Sequence, residues 1–218
     1  MKLRIFLFST AVLCVALSFI FCCSPHQSTL PTADEVSDVA EQHNKATTTI
    51  GATAASTIDP QNFDADLLAS LVSDKINELR RTKTRCPLLR SNDILAAAAN
   101  EQSRYVTQRG DLTHEQTGSA NRNKRTVLDR VHLYGGTFTP VGENLLFQGF
   151  KRRVYDDGRE IILYPSYDEM AKQMVRGWQN SKPHYANIIE CDFNLSGVAV
   201  VYSAKKNGIF AAQVFGGN

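Results

Sequence analysis

Apolar positions fall along the chain in three kinds of run, and each predicts a different element. Leu68, Leu71, Val72, Ile76 and Leu79 recur three or four residues apart. That spacing predicts an amphipathic helix, with Arg80, Arg81, Lys83 and Arg85 as cations suited to its C-terminus. After Cys86-Pro87, Ser91 is placed to cap a second helix whose stripe is Ile94, Leu95, Ala98, Ala99, Tyr105 and Val106, ended by Gly110. Four consecutive alanines, 96–99, let another element approach closely, so this helix is expected to be central. Val127, Leu128, Val131 and Tyr134 give a short third helix stopped by Gly135-Gly136, with His132 off the stripe and facing solvent. A fourth starts at the capping box Ser166 to Glu169 and carries Met170, Met174, Val175 and Trp178, so Glu169 reads as a cap rather than a catalytic acid.

The second kind of run is short and flanked by turn residues, as strands are. Val141–Phe147 reads as entry into a strand. Asp157-Gly158 separates Val154-Tyr155 from Ile161-Leu163, which predicts a peripheral hairpin, and Asn207-Gly208 separates Gly197–Ser203 from Ile209–Phe215, which predicts another. Three or more antiparallel strands with four helices make an α+β layered domain. The third kind is the uncharged run Ile5–Phe21 behind Lys2 and Arg4, an export signal over residues 1–23. Its competitor is a single-pass anchor, for which roughly 17 apolar residues is the lower limit. The end of the run, Phe21-Cys22-Cys23-Ser24, resembles a bacterial lipoprotein processing site, with Cys22 or Cys23 as the acylated residue. Membrane contact is expected only through this leader or lipid.

Composition changes the picture in three places. Residues 24–61 are rich in Thr, Ala, Ser and acid and poor in large apolar residues, which predicts a disordered tether ahead of a domain over 62–218. His26 and His43 in that stretch are given no role. The net charge of +2 is small, which argues against nucleic acid as a partner, and Arg80-Arg81 and Lys151-Arg152-Arg153 are expected to be solvated. Of five cysteines only Cys86 and Cys191 lie outside the leader. One pairing is then available, and in an oxidising compartment a disulfide there closes a long loop worth up to roughly 4–5 kcal/mol. Two unlinked thiols are the alternative, and without a CxxC the pair does not fit a zinc motif.

Candidate chemistry sits in three separate pieces: His114 in the loop after Gly110, Glu143 in Gly142-Glu143-Asn144, and Ser181 and His184 in the run Trp178–Ile189. Taken singly, each has an ordinary structural explanation. Their order is more telling. A first helix ending in Arg, an Ala-rich helix, a loop histidine, a Gly-Glu-Asn, a Trp-x-x-Ser-x-x-His-x-x-Asn-Ile run, a Gly-Val-Ala-Val strand and a closing Gln-Val-Phe-Gly strand resemble the CAP superfamily (cysteine-rich secretory, antigen five, pathogenesis-related), in its bacterial branch. The resemblance covers about residues 66–216. It implies a three-layer α-β-α sandwich with a central antiparallel sheet and a large cleft. It further implies two cleft histidines, at His114 and His184, able to hold zinc or another divalent cation, with Glu143 beside them. A second cleft acid of eukaryotic relatives falls here on Ser181, a departure shared with bacterial relatives.

Two imidazoles and a carboxylate suit a weak zinc site with an open position. Glu143 would either orient a histidine from outside the ligand set or act as general base on metal-activated water. A Ser181–His184 nucleophile pair is the weaker reading, because a turn residue and a cleft histidine explain both. Three functions follow from the resemblance: an exported, surface-tethered domain that binds a ligand or partner in its cleft without turnover, a metal-dependent hydrolase of peptide or cell-wall material, and a lipid or sterol carrier. The first is the expectation adopted.

Overall fold

The computed structural model describes residues 51–149 and 152–217, with side chains left out at 152–156 and 160–162. The export leader, Cys22, Cys23 and the tether up to residue 50 lie outside the described residues. Helices α1 (Ala65–Lys83), α2 (Asp93–Arg109), α3 (Val127–Leu133), α4 (Tyr167–Gln179) and α5 (Lys182–Ile189) alternate with strands β1 (Arg90–Ser91), β2 (Val141–Gly149), β3 (Arg152–Asp156), β4 (Arg159–Leu163), β5 (Leu195–Ser203) and β6 (Gly208–Gly216). Among the described residues no helix is long and apolar enough to cross a membrane.

Strand β6 explains the layers. Every one of its residues is buried, and its pleat sends successive side chains to opposite faces. Ile209, Ala211 and Phe215 pack with Leu68, Val72 and Ile76 of α1, Met170, Met174 and Trp178 of α4, and Ile188 of α5. Phe210, Ala212 and Val214 pack with Leu95, Ala98, Ala99 and Val106 of α2 and Val131 of α3. The result is the expected α-β-α sandwich. Sheet order is β1-β5-β6-β2, antiparallel except that β1 runs parallel to β5 over two residue pairs. Hairpin β3–β4 stands apart as its own two-stranded sheet, turning through Asp157 and Gly158, both at positive φ.

Several boundaries differ from the pattern, each for a physical reason. Ser91 is not the cap of α2, because it pairs with Ser196 in β1. Asn92 takes the role, accepting from the Leu95 N–H at 3.1 Å. The loop at Asn207 has four residues rather than two: Asn207 takes the left-handed conformation, while Gly208 already stands in β6 opposite Ser203. A Cβ on Gly208 would lie 2.6 Å from the Phe147 ring. Helix α3 is only seven residues long and leaves Leu128 and Tyr134 of its expected stripe exposed. The tether boundary moves as well. Ile58 is 1% exposed, its N–H donates to the Pro165 carbonyl, and Tyr167 and Asp168 N–H donate back to Ser56 and Ala54. One apolar residue in a Thr/Ser background carries no periodicity, which is why composition assigned the segment to the tether.

Two features tie α1 to the far end of the chain. Cys86 and Cys191 form the disulfide, with Cα atoms 4.9 Å apart. Arg80, expected on a solvated face, is fully buried. Its guanidinium donates to the carbonyls of Pro87 (2.6 and 3.1 Å), Ile188 (2.6 Å), Glu190 (2.9 Å) and Phe193 (3.1 Å). Burial pushes its pKa below the ordinary value and the Glu190 charge acts the other way. An arginine stays charged under such a shift.

Candidate functional site

The site is assembled from two neighbours on β2 that point to opposite faces. Glu143 lies in register with Val214 and Asn144 with Gln213, so the first looks toward α3 and the second toward α5. Gly142, just before them, is required by space: a Cβ there would meet the Phe193 ring at 2.8 Å.

On the α3 face, the Glu143 side chain is 2% exposed and both of its oxygens are engaged. Oε2 accepts from Arg130 Nη2 at 2.6 Å, and Oε1 lies 2.9 Å from His114 Nδ1. Arg130, itself fully buried, donates also to the carbonyls of Lys124 and Arg125 at 3.1 Å and of His114 at 3.3 Å. One guanidinium therefore holds the histidine's backbone and the carboxylate that holds its ring. The His114 loop leaves α2 through Gly110 at φ 73° and is pinned further by Gln102, which donates to the Thr113 carbonyl and accepts from Gln116 at 3.0 Å. The imidazole remains open to solvent, with the side chain 58% exposed. With a carboxylate as acceptor, Nδ1 carries the hydrogen, which leaves Nε2 as the ring nitrogen available to a ligand.

On the other face, the chain does not turn away after α4. Ser181 takes an extended conformation and Pro183 enters the first turn of α5, where a missing N–H is harmless. That restart places His184 on a helix whose register β2 sets. Trp178 Nε1 donates to the Leu145 carbonyl at 3.1 Å, Asn144 Nδ2 to the His184 carbonyl at 3.1 Å, and Asn187 Nδ2 to Asn144 Oδ1 at 2.9 Å and the Glu143 carbonyl at 3.4 Å. His184 is half-buried, and desolvation, then the charge of His114, pushes its pKa down. A lowered value leaves it neutral at physiological pH and able to act as a ligand.

His114 and Glu143 are thus in direct contact, and His184 is coupled to them through Asn144, Asn187 and the electrostatic influence of His114. Ser181, also expected beside these residues, stands at the N-cap of α5, where its hydroxyl makes no capping bond. Among the described residues no group of three His, Cys, Asp or Glu side chains converges to hold a metal ion. Both Glu143 oxygens being committed, the donors left are the two imidazoles. Arg130 is the residue that sequence reasoning missed. It stands beside Val131 on a short helix, where a cation looks solvated, and only the buried partner on β2 reveals its role.

Residues 73–215 match the model of the cysteine-rich secretory protein family, CAP. No curated protein sequence matches the chain. Among solved structures, similarity extends over 75% of this chain to an extracellular protein containing an SCP domain from Bacillus anthracis (21% identity, TM-score 0.54) and to an outer surface protein from Borrelia burgdorferi (20% identity, TM-score 0.51). The match spans 45% of the first of these proteins and 98% of the second.

Proposed function

The chain belongs to the cysteine-rich secretory protein (CAP) family, and from that premise we propose that it is an exported, surface-tethered protein that captures a ligand or partner at His114, Glu143 and His184 without turning it over. The observation that carries this reading is the state of Glu143. A general base must lie within hydrogen-bond reach of the proton it takes, and Glu143, 2% exposed, presents almost no oxygen surface to an incoming ligand. Here Arg130 occupies one oxygen and His114 the other. Glu143 acts instead as the group that orients His114, as carboxylates commonly do behind a ligating histidine.

The donor set suits a divalent cation, zinc in particular. His114 Nε2 and the neutral imidazole of His184 would hold it, and two protein ligands leave positions open for an incoming ligand. When bound, the ion would supply a Lewis-acidic contact for an oxygen, nitrogen or sulfur atom of that ligand. The chain's own residues do the rest: Arg130 and Glu143 hold the His114 ring, while Asn144 and Asn187 hold the turn that carries His184.

Export is supported by the leader and by the Cys86–Cys191 disulfide, which suits an oxidising compartment. The two solved relatives are described as extracellular and outer surface proteins. Anchoring through acylated Cys22 or Cys23 is the proposed tether, and the mass of the N-terminal peptide from native membranes tests it.

The first experiment is zinc titration by calorimetry on the purified protein, with His114→Ala and His184→Ala alongside. Stoichiometric binding lost in both variants is the expected result. Chelator-sensitive turnover of a peptide or cell-wall substrate would overturn the non-catalytic reading.

A further inference from the structure

Away from that cleft, the outer edge of β5 is open. β1 covers it only at Leu195 and Ser196, and among the described residues no strand pairs with the same edge from Gly197 to Val201. The bonds that do form fix the direction of the unpaired groups. Arg90 N–H donates to the Asn194 carbonyl and Asn92 N–H to the Ser196 carbonyl; the Asn194 N–H turns the other way, to the Gly216 carbonyl, so within β5 it is Ser196 that faces outward. The β5–β6 register runs unbroken, so the alternation carries to Val198 and Val200. Their N–H and C=O groups face outward at a repeat of about 6.8 Å, and no described group bonds to them from that side. The sheet's other outer strand, β2, has its Glu143 and Leu145 carbonyls taken by Asn187 and Trp178.

The open edge is the floor of a groove between α1 and α2. Two cavities of about 360 and 550 Å³ follow one another along it and share Ala69, Ala96 and Val198. Alongside the residues that the two cavities share, the start of α2 rests on Gly197, at which a Cβ would lie 2.0 Å from the Ala96 nitrogen. Beyond that contact, alanines keep both walls low. The α1 wall carries Asp66 and Asp74, and Arg104 stands on the α2 wall across from Asp66 in the second cavity's lining.

We propose that this groove binds an extended polypeptide, which adds to β5 as a strand and places basic side chains toward Asp66 and Asp74. Main chain is the ligand chemistry that answers alternating N–H and C=O groups at a strand repeat, and strand addition to an open edge is a known mode of peptide capture. The proposal is independent of the metal and the cleft. A floor of four residues, Val198 to Val201, spans about 14 Å, enough for four residues of partner.

The test is fluorescence polarisation of the purified protein with a fluorescein-labelled heptapeptide, Lys-Thr-Val-Lys-Val-Thr-Lys. A second copy of the peptide is N-methylated at alternate residues, which removes the donors on one edge and keeps the side chains. Saturable binding is expected, weakened at least tenfold by N-methylation and by Ala69→Gln or Ala97→Gln. Both substitutions narrow the groove from helix positions that tolerate Gln. His114→Ala should leave binding unchanged, and saturating peptide should slow hydrogen exchange at the Val198 and Val200 amides. No saturation up to millimolar peptide, equal binding of the N-methylated peptide, or loss of binding in His114→Ala would each overturn the proposal.

Discussion

Arg80 and Arg130 are both fully buried, yet they do different work. Arg80 is caged by main-chain carbonyls from Pro87, Ile188, Glu190 and Phe193, and among the described residues no carboxylate bonds to its guanidinium. Arg130 has carbonyl partners too, but it closes on a buried carboxylate. The first arrangement gives the cation many weak acceptors and joins stretches of chain that lie far apart in sequence. The second creates a charge pair whose other member holds a histidine open to solvent. A buried arginine is therefore not one kind of feature: its acceptors decide whether it fastens the fold or builds the site.

The comparison can be broken most directly by removing each cation. Arg80→Met strips four carbonyls of their donor and should cost about 4–6 kcal/mol in urea unfolding, with zinc affinity of the folded fraction unchanged. Arg130→Met leaves Glu143 buried without its cation, for which about 3–5 kcal/mol is expected, and zinc affinity should fall with it. Equal effects of the two variants on zinc would end the distinction. Replacing Arg130 and Glu143 together by Met should restore about 1–4 kcal/mol of that stability while zinc binding stays weak.

Glu143→Gln sharpens the picture with less damage. It keeps the shape and removes the charge, so a loss of about 1–3 kcal/mol is expected. If Glu143 orients His114, calorimetry should show zinc affinity reduced roughly 10- to 100-fold.

A surface carboxylate sets the lower reference. Hydrogen bonds from Lys172 and then Lys75, both 2.7 Å away, push the Asp168 pKa below the ordinary carboxylate value. A folded pKa below the unfolded one means the stabilisation is full above the unfolded pKa and disappears as pH falls through the folded one. Asp168→Asn should accordingly cost only about 0.5 kcal/mol at neutral pH, since solvent screens the pair. The gap to wild type should close on acidification below the usual carboxylate range, as urea unfolding at the two pH values would report.

What was legible in the sequence followed from repetition. Helices α1, α2 and α4 carry apolar stripes long enough to read, the Ser166–Glu169 capping box is present as written, and two cysteines left one pairing to test. The candidate residues His114, Glu143 and His184 were singled out only by resemblance, since nothing in the spacing of His114 and Glu143 announces a 2.9 Å contact across 29 residues. What stayed hidden depends on single residues or on very short elements. Strand β1 has two residues, too few for alternation. Ser181 reads as a turn residue, and nothing repeated announces that α5 starts directly after it, with Pro183 in its first turn. Ile58, Arg80 and Arg130 look solvated by type or by neighbourhood, and only tertiary packing buries them.

The cage around Arg80 also has a consequence in time. Its acceptors at Ile188, Glu190 and Phe193 lie 108, 110 and 113 residues downstream. At synthesis rates of about 5–20 residues per second, α1 waits roughly 5–20 s for them. Alkylation of Cys86 in nascent chains of increasing length would follow that interval, the thiol staying reactive until Cys191 and Phe193 are available. A chain cut short before Ile188 carries His114, Glu143 and His184 and still lacks three of the four residues that close over Arg80, so this corner acts as a check that synthesis has passed Phe193.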